Sequence, residues 1–446
     1  MTKPGSTNRR GFLKQLAVGS FAAPVFIRNL RAASPNGVVR HASFGAGGMA
    51  GADLSEIANH PRVKFICVAD VDLARGEELK KRFPDLRVYQ DWRKMLDEEQ
   101  KNLDSVNVST PDHMHASMGM SSMQRGLSVY GQKPLTHDIY DARQLAEFSK
   151  DKGLVTQMGI QIHSHPFYRS AVALIQQGAI GKVSSVHSWS DKRWGDSDPQ
   201  PKRVDPVPDG FDWDQWVGCC EARPFIGGGY YHPGNWRKRI DFGTGTFGDM
   251  GCHIFDPVFK ALQLTAPLTI RSTGAAPANG NWAEDAKVDL TFPATKYTVG
   301  PTIPITWYDG GQRPSKDVAE KWVGDKGLPG QGSLFIGEKG AMLLPHVGAP
   351  ELLPEKDFAD YKRPVLEDIN HWHQFVDAVL GKGETSAHFG YAGPLTESVL
   401  LGGVSTFFPN EELTWVASDL KFKNKPEADH LIRRPYRKGW EVHGLT

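Results

Sequence analysis

Asp249, His253 and Asp256 stand four and three residues apart in FGTGTFGDMGCHIFD, residues 242–256. On a helix that spacing places all three on one face. An imidazole with its ordinary pKa of about 6.5 can take a proton from an alcohol near neutral pH. Asp249, one turn earlier, is expected to orient the ring and to stabilise the imidazolium. Asp256 is expected to cap or pair structurally, because Pro257 follows it. A divalent metal on the three side chains is the less favoured alternative. The same holds for His113 and His115 in "HMH", so no metal is expected.

Proton removal alone does not oxidise an alcohol; a hydride must also leave carbon. The stretch GAGGMAG, residues 45–51, offers a place for its acceptor. Gly45 and Gly47 match the first two glycines of G-x-G-x-x-G/A, and Ala50 takes the third place. The first allows a tight turn, the second lets a pyrophosphate approach the backbone, and the third packs helix on strand. Gly48 and Met49 complete the turn, where phosphate would meet free N–H groups at a helix start. Asp70 ends the next strand, where a carboxylate accepts bonds from ribose hydroxyls and repels a 2′-phosphate. NAD is therefore expected rather than NADP.

The elements around these residues define the fold class. From Gly37 to about residue 157, apolar strands alternate with amphipathic helices, which implies a parallel, doubly wound sheet. From 158 to 446 the alternation loosens. Strand-like runs recur at APLTIRSTG, AKVDLTFP, TIPITWYDG, SLFIGEKGAMLL and LTWVASDLKFKN. The expectation is an α/β protein: a Rossmann domain at 37–157, then an α+β domain at 158–446 with a large, mostly antiparallel open sheet.

Four stretches in order, GAGGMAG, STPDHMHA, GQKPLTHD and GDMGCHIFD, resemble the Gfo/Idh/MocA oxidoreductases. The C-terminal YAGPLTESVLLGG and YRKGW resemble the secreted members. The resemblance implies that Lys133, in the position of the family's E-K-P lysine, is an active-site residue with Asp249 and His253. It places Thr110, Pro111 and His115 beside the nicotinamide ribose. Gln132 stands where the family usually has a glutamate that bonds a ribose hydroxyl; an amide can bond there without the charge. The resemblance also implies a homodimer or homotetramer built through the C-terminal sheet. Lys133 can donate to the reacting oxygen and favour the developing alkoxide.

Residues 191–245 are rich in Pro, Gly, Trp and Tyr, and long irregular chain of this kind is usually functional. Tyr231, Trp236 and Arg237 represent its aromatic faces and donors, which suit sugar rings. A loop packing its own aromatic core is the alternative. Gln161, His163 and Arg169 follow the cofactor domain and are expected in the same cleft.

Net charge is +1, which gives no reason to expect nucleic acid or an anionic membrane as partner. No apolar run is long enough to span a bilayer. Residues 1–34 carry Arg9-Arg10 in NRRGFLK and an apolar run from Leu16 to Ile27, the pattern of a twin-arginine export signal. LRAAS gives no clean cleavage site, so removal and retention as an anchor both stay open. The leading expectation is an exported oxidoreductase with tightly held NAD, acting on a hydroxyl of a sugar, polyol or glycoside. A glycosidase working by transient oxidation and elimination on the same NAD is the alternative, and a non-catalytic binding protein is the third.

Overall fold

The computed structural model describes residues 37–446; residues 1–34, read above as an export signal, lie outside the described residues. Six strands form the first sheet: β1 (Val39–Phe44), β2 (Val63–Ala69), β3 (Arg87–Tyr89), β4 (Ser105–Val108), β5 (Ser128–Gln132) and β6 (Thr156–Gly159). Their order is β3-β2-β1-β4-β5-β6, and every pair is parallel. Helices cover both faces, so strands such as β4 are buried at every position. The buried His41 ring in β1 is satisfied across the ladder by Ser105 Oγ at 2.7 Å and Asn107 Oδ1 at 3.0 Å. The order reverses between β1 and β4, which opens a crevice at the carboxyl ends of the strands. Gly45, Asp70, Thr110 and Lys133 all leave strands at that edge.

The second sheet holds nine strands: β7 (Val183–Trp189), β8 (Thr269–Thr273), β9 (Lys287–Pro293), β10 (Thr302–Tyr308), β11 (Gly332–Gly337), β12 (Ala341–Pro345), β13 (Glu351–Leu353), β14 (Glu412–Val416) and β15 (Lys421–Phe422). The order is β13-β12-β11-β7-β10-β9-β8-β14-β15, antiparallel except for the β7–β10 pair. Burial alternates along β9, as one covered face requires. The helix Gly245–Ile254 lies on that face. Phe247 stacks on Trp307 at 4.6 Å, and Ser333 Oγ donates to Ile254 O at 3.2 Å.

The two sheets share their helices. His371–Val379 returns to the first sheet, where Trp372 Nε1 donates to Asp53 Oδ1 at 2.8 Å. Phe389–Ser405 packs on Ile139–Asp151, with Arg143 Nη2 at 2.6 Å from Glu397 Oε2.

Candidate active site

A cleft of about 620 Å³ runs along the carboxyl edge of the first sheet. Gly45, Gly47, Gly48, Met49, Asp70, Thr110, Pro111, Gln132, Lys133, Trp236, Arg237, Asp249 and His253 all line it. Lys133 and His253, 120 positions apart, are brought to one wall.

The glycine turn fits a dinucleotide phosphate. Gly45 has φ +96°, and a Cβ there would stand 2.5 Å from Ser109 O. Gly48 has φ +57° and open space where its Cβ would be. The helix Met49–Ala58 starts with no side-chain cap and no acid in its first turn, so its N–H groups remain available to an anion. Ala50 does not reach the cleft; it is buried beneath the turn, in contact range of the Gly45 position. Asp70 is held in place by Ala46 N–H at 2.8 Å and Asp72 N–H at 2.9 Å. Arg75 lies beside it, over Gly47, with Nη2 2.9 Å from His232 Nε2. Sequence reasoning missed this cation and its link to the aromatic loop.

Two cofactor expectations need correction. His115 does not face the cleft; its ring sits buried between Pro134 O and Thr110 O, each at 2.7 Å. It fastens the loop after β4 to the loop after β5. Gln132 lines the cleft, but its Nε2 donates inward to Asp53 Oδ2 at 2.8 Å. Asp53 also accepts from Ser109 and Trp372, and burial pushes its carboxyl up to about 6. The amide at 132 therefore serves a buried polar knot rather than a free ribose contact.

Lys133 Nζ donates to Asp249 Oδ1 at 2.5 Å and to Asp249 O at 3.0 Å. An ammonium has three N–H groups, so one is left for the cleft. Arg237 Nε reaches the same Asp249 oxygen at 3.2 Å, with its guanidinium 4.3 Å from the Trp236 ring. Burial raises the Asp249 carboxyl, but Lys133 and Arg237 outweigh it and hold it well below the usual carboxylate range. Asp249 thus orients the lysine. The expectation that it orients His253 is corrected: His253 Nδ1 is buried and has no hydrogen-bond partner among the described residues. The ring nearest by is His346, 5.9 Å away, itself 2.8 Å from Tyr168 Oη. Nothing in the sequence pattern singled out His346.

Burial, then the Lys133 cation and His346, push the His253 imidazole down to about 3. The ring is therefore neutral near neutral pH, and its Nδ1 has no partner among the described residues. The acid limb of kcat/KM is therefore expected well below pH 5, not at the ordinary histidine value. A pH profile of initial rates checks this; a limb near 6.5 contradicts it.

The one-face expectation for the three helical residues also fails. The helix ends at Ile254, Phe255 breaks it, and a new helix, Asp256–Leu262, begins. Asp256 turns away and pairs with His163 Nδ1 at 2.8 Å, in keeping with its expected structural role. His163 and Arg169 consequently line a different cavity, and Gln161 reaches Tyr130 Oη at 3.5 Å; none lines the cofactor cleft. Tyr231 is buried among Trp213, Trp216 and Phe242, so here the loop packs its own aromatic core. The same loop supplies Trp216, His232 and Pro233 to the cleft wall.

A doubly wound sheet with a glycine turn, and a lysine–aspartate pair beside a histidine at its mouth, defines a nucleotide-dependent oxidoreductase class. Residues 39–160 match the family described as "Oxidoreductase family, NAD-binding Rossmann fold", and residues 179–286 match its "C-terminal alpha/beta domain". The chain belongs to the Gfo/Idh/MocA oxidoreductase family. It is similar to levoglucosan dehydrogenase of Pseudarthrobacter phenanthrenivorans, 24% identical over 44% of this chain and 41% of that protein. It is also similar to scyllo-inositol 2-dehydrogenase (NAD(+)) of Bacillus subtilis, 27% identical over 28% of this chain and 36% of that protein. The chain spans about two fifths of the length of these curated relatives. A solved levoglucosan dehydrogenase–NADH complex shares the fold, with a TM-score of 0.59 and 15% identity over 84% of this chain and 98% of that one.

Proposed function

We propose that the protein is an NAD-dependent oxidoreductase that moves a hydride between nicotinamide and a hydroxyl of a sugar, polyol or glycoside. The observation that carries this reading is the convergence of Lys133, Asp249 and His253 on the wall of the glycine-turn cleft. The relatives whose names specify sugar and polyol dehydrogenases support the substrate class.

Gly45, Gly47, Gly48 and the helix start would hold the pyrophosphate, and Asp70 the adenosine ribose. The bound nicotinamide supplies the hydride acceptor. Neutral His253 accepts the hydroxyl proton. Lys133 donates its remaining N–H to the same oxygen and stabilises negative charge as it develops. Asp249 fixes the ammonium by two contacts and offsets its charge. Trp236 and Trp216 exclude water and offer apolar faces to a ring.

Export by a twin-arginine route to the periplasm or another extracytoplasmic site belongs to the same proposal, supported by Arg9-Arg10 and the apolar run after it. Free NAD is scarce there, so the cofactor is held tightly and recycled by a second substrate. Assembly into a homodimer or homotetramer through the nine-stranded sheet completes the reading.

The test incubates the natively purified chain with NAD and a panel of sugars, polyols and glycosides. Nicotinamide absorbance and mass spectrometry of retained cofactor are followed. Reduction by at least one carbohydrate is expected, falling about 10²- to 10⁴-fold in His253→Ala. Sugar release with no net NADH moves the assignment to a glycosidase. No bound cofactor and no turnover across the panel overturns it.

A further inference from the structure

The structure contains a second cavity, of about 270 Å³, outside the cofactor cleft. The helices Pro166–Gln176 and Asp256–Leu262 form its sides, with Gln176 Nε2 donating to Lys260 O at 3.3 Å where they meet. Leu366 and Ile369, from the irregular chain before the helix His371–Val379, also line it.

Its polar wall is built around a buried dyad. His163 is 7% exposed, and its Nδ1 lies 2.8 Å from Asp256 Oδ1. Tyr391 Oη donates to the same oxygen at 2.6 Å. A carboxylate facing Nδ1 demands a donor there, so Nδ1 carries hydrogen and Nε2 is left over. Nε2 has no hydrogen-bond partner among the described residues, and the ring lines the cavity. In that tautomer Nε2 carries a lone pair and accepts a hydrogen rather than donating one.

Two cations share the wall. Arg169 donates from Nη1 to Glu367 O, which leaves the rest of its fork open. Lys260 Nζ rests 4.7 Å from the Tyr391 ring. Neither forms an ion pair among the described residues, whereas Asp256 is committed to His163 and Tyr391. Two half-buried cations lining one concave cavity make an anion receptor rather than a solvated charged face.

We propose that this cavity binds a small oxyanion, a carboxylate or a phosphate, on Arg169 and Lys260, with His163 Nε2 accepting the hydrogen of any hydroxyl the ligand carries. The site is separate from the cofactor cleft, yet it adjoins the catalytic segment. Asp256 stands three residues after His253, across the helix break at Phe255. The proposal does not depend on the hydride-transfer reading, and either can fail alone.

The test uses the full chain loaded with NAD, so that the glycine turn is occupied and does not compete for anions. Inorganic phosphate, succinate and chloride are titrated at constant ionic strength, and melting temperature and calorimetric heat are read. Phosphate or succinate is expected to raise Tm by about 1–3 °C at ten times Kd, with chloride inert. The arm that responds identifies the oxyanion. Arg169→Gln and Lys260→Gln are each expected to weaken binding about tenfold or more without altering NAD affinity. Equal binding by wild type and both glutamine variants, or no response to either oxyanion, overturns the site.

Discussion

Lys133→Met is expected to lower kcat/KM by about 10³-fold or more while NAD still binds. Removing one preorganised donor from a developing oxyanion costs about 10²- to 10³-fold. The remainder comes from Asp249. In the native cleft its carboxylate faces Lys133 at 2.5 Å and Arg237 at 3.2 Å. Without the lysine, the buried carboxylate keeps one cation and loses one charge-assisted bond, and the Asp249 backbone carbonyl loses another. Breaking a buried pair from one side typically costs about 3–5 kcal/mol. The residue is partly shielded by Arg237, so the lower end is expected as lost stability. Methionine keeps the length and apolar stem of lysine, which isolates the head group. Asp249→Asn removes the other half of the pair, and the double variant is expected to be much less impaired than the product of the two single effects. Kinetics on all three variants, with melting temperatures, check this. A loss under tenfold in Lys133→Met would show that its ammonium does not face the reacting oxygen.

Gly45→Val has the second largest expected effect, on fold and cofactor together. The backbone at Gly45 has φ +96°, and a Cβ would meet Ser109 O at 2.5 Å and Ala50 Cβ at 3.0 Å. Ser109 O is backbone just past the end of β4, and the Ala50 Cβ is fixed by the helix Met49–Ala58, so neither can retreat far. Strain at such a φ costs about 1–3 kcal/mol before the clash is counted. The variant is expected to lose about 3 kcal/mol or more and to bind no measurable NAD. Gly48→Ala provides the contrast. Its φ of +57° with ψ of −126° strains alanine by about 1–3 kcal/mol, but its Cβ would enter open space with no clash. It is expected to fold and to bind NAD about 10- to 100-fold more weakly, because the methyl group holds phosphate off the turn. Titration calorimetry and thermal melts separate the two. Native NAD affinity in Gly48→Ala would remove the pyrophosphate from this turn.

Much of the first domain was legible in the chain because its rules are local. Strand, glycine turn and helix follow one another within about 20 residues, and the parallel order needs only right-handed crossovers. The strand-like runs of the second half also became strands, since apolar alternation reports a covered face. Their order was not legible. β7 sits at the centre beside β10, more than 100 residues later, and pairs with it in parallel. No local pattern states that choice; it depends on which faces fill each other once helices are placed.

The same division runs through the candidate site. Spacing singled out Asp249 and His253, the family resemblance added Lys133, and all three line one cleft. Their partners were misassigned because helical spacing carries no information about what approaches from elsewhere. Asp249 lies one turn from His253, yet a lysine from the end of β5 claims its carboxylate. Asp256 follows His253 by three residues, yet the break at Phe255 hands it to His163.

By itself, the sequence determined that a phosphate-compatible turn closes a strand and that a lysine, an aspartate and a histidine stand within reach of chemistry. These follow from backbone sterics, periodicity, side-chain type and, for the lysine, the family resemblance. Only the tertiary structure decided which charge neutralises which, which histidine stays neutral, and that two cavities flank the catalytic segment. Those outcomes depend on desolvation and on distances of a few ångströms between residues far apart in the chain, and both arise only when the sheets and their shared helices pack.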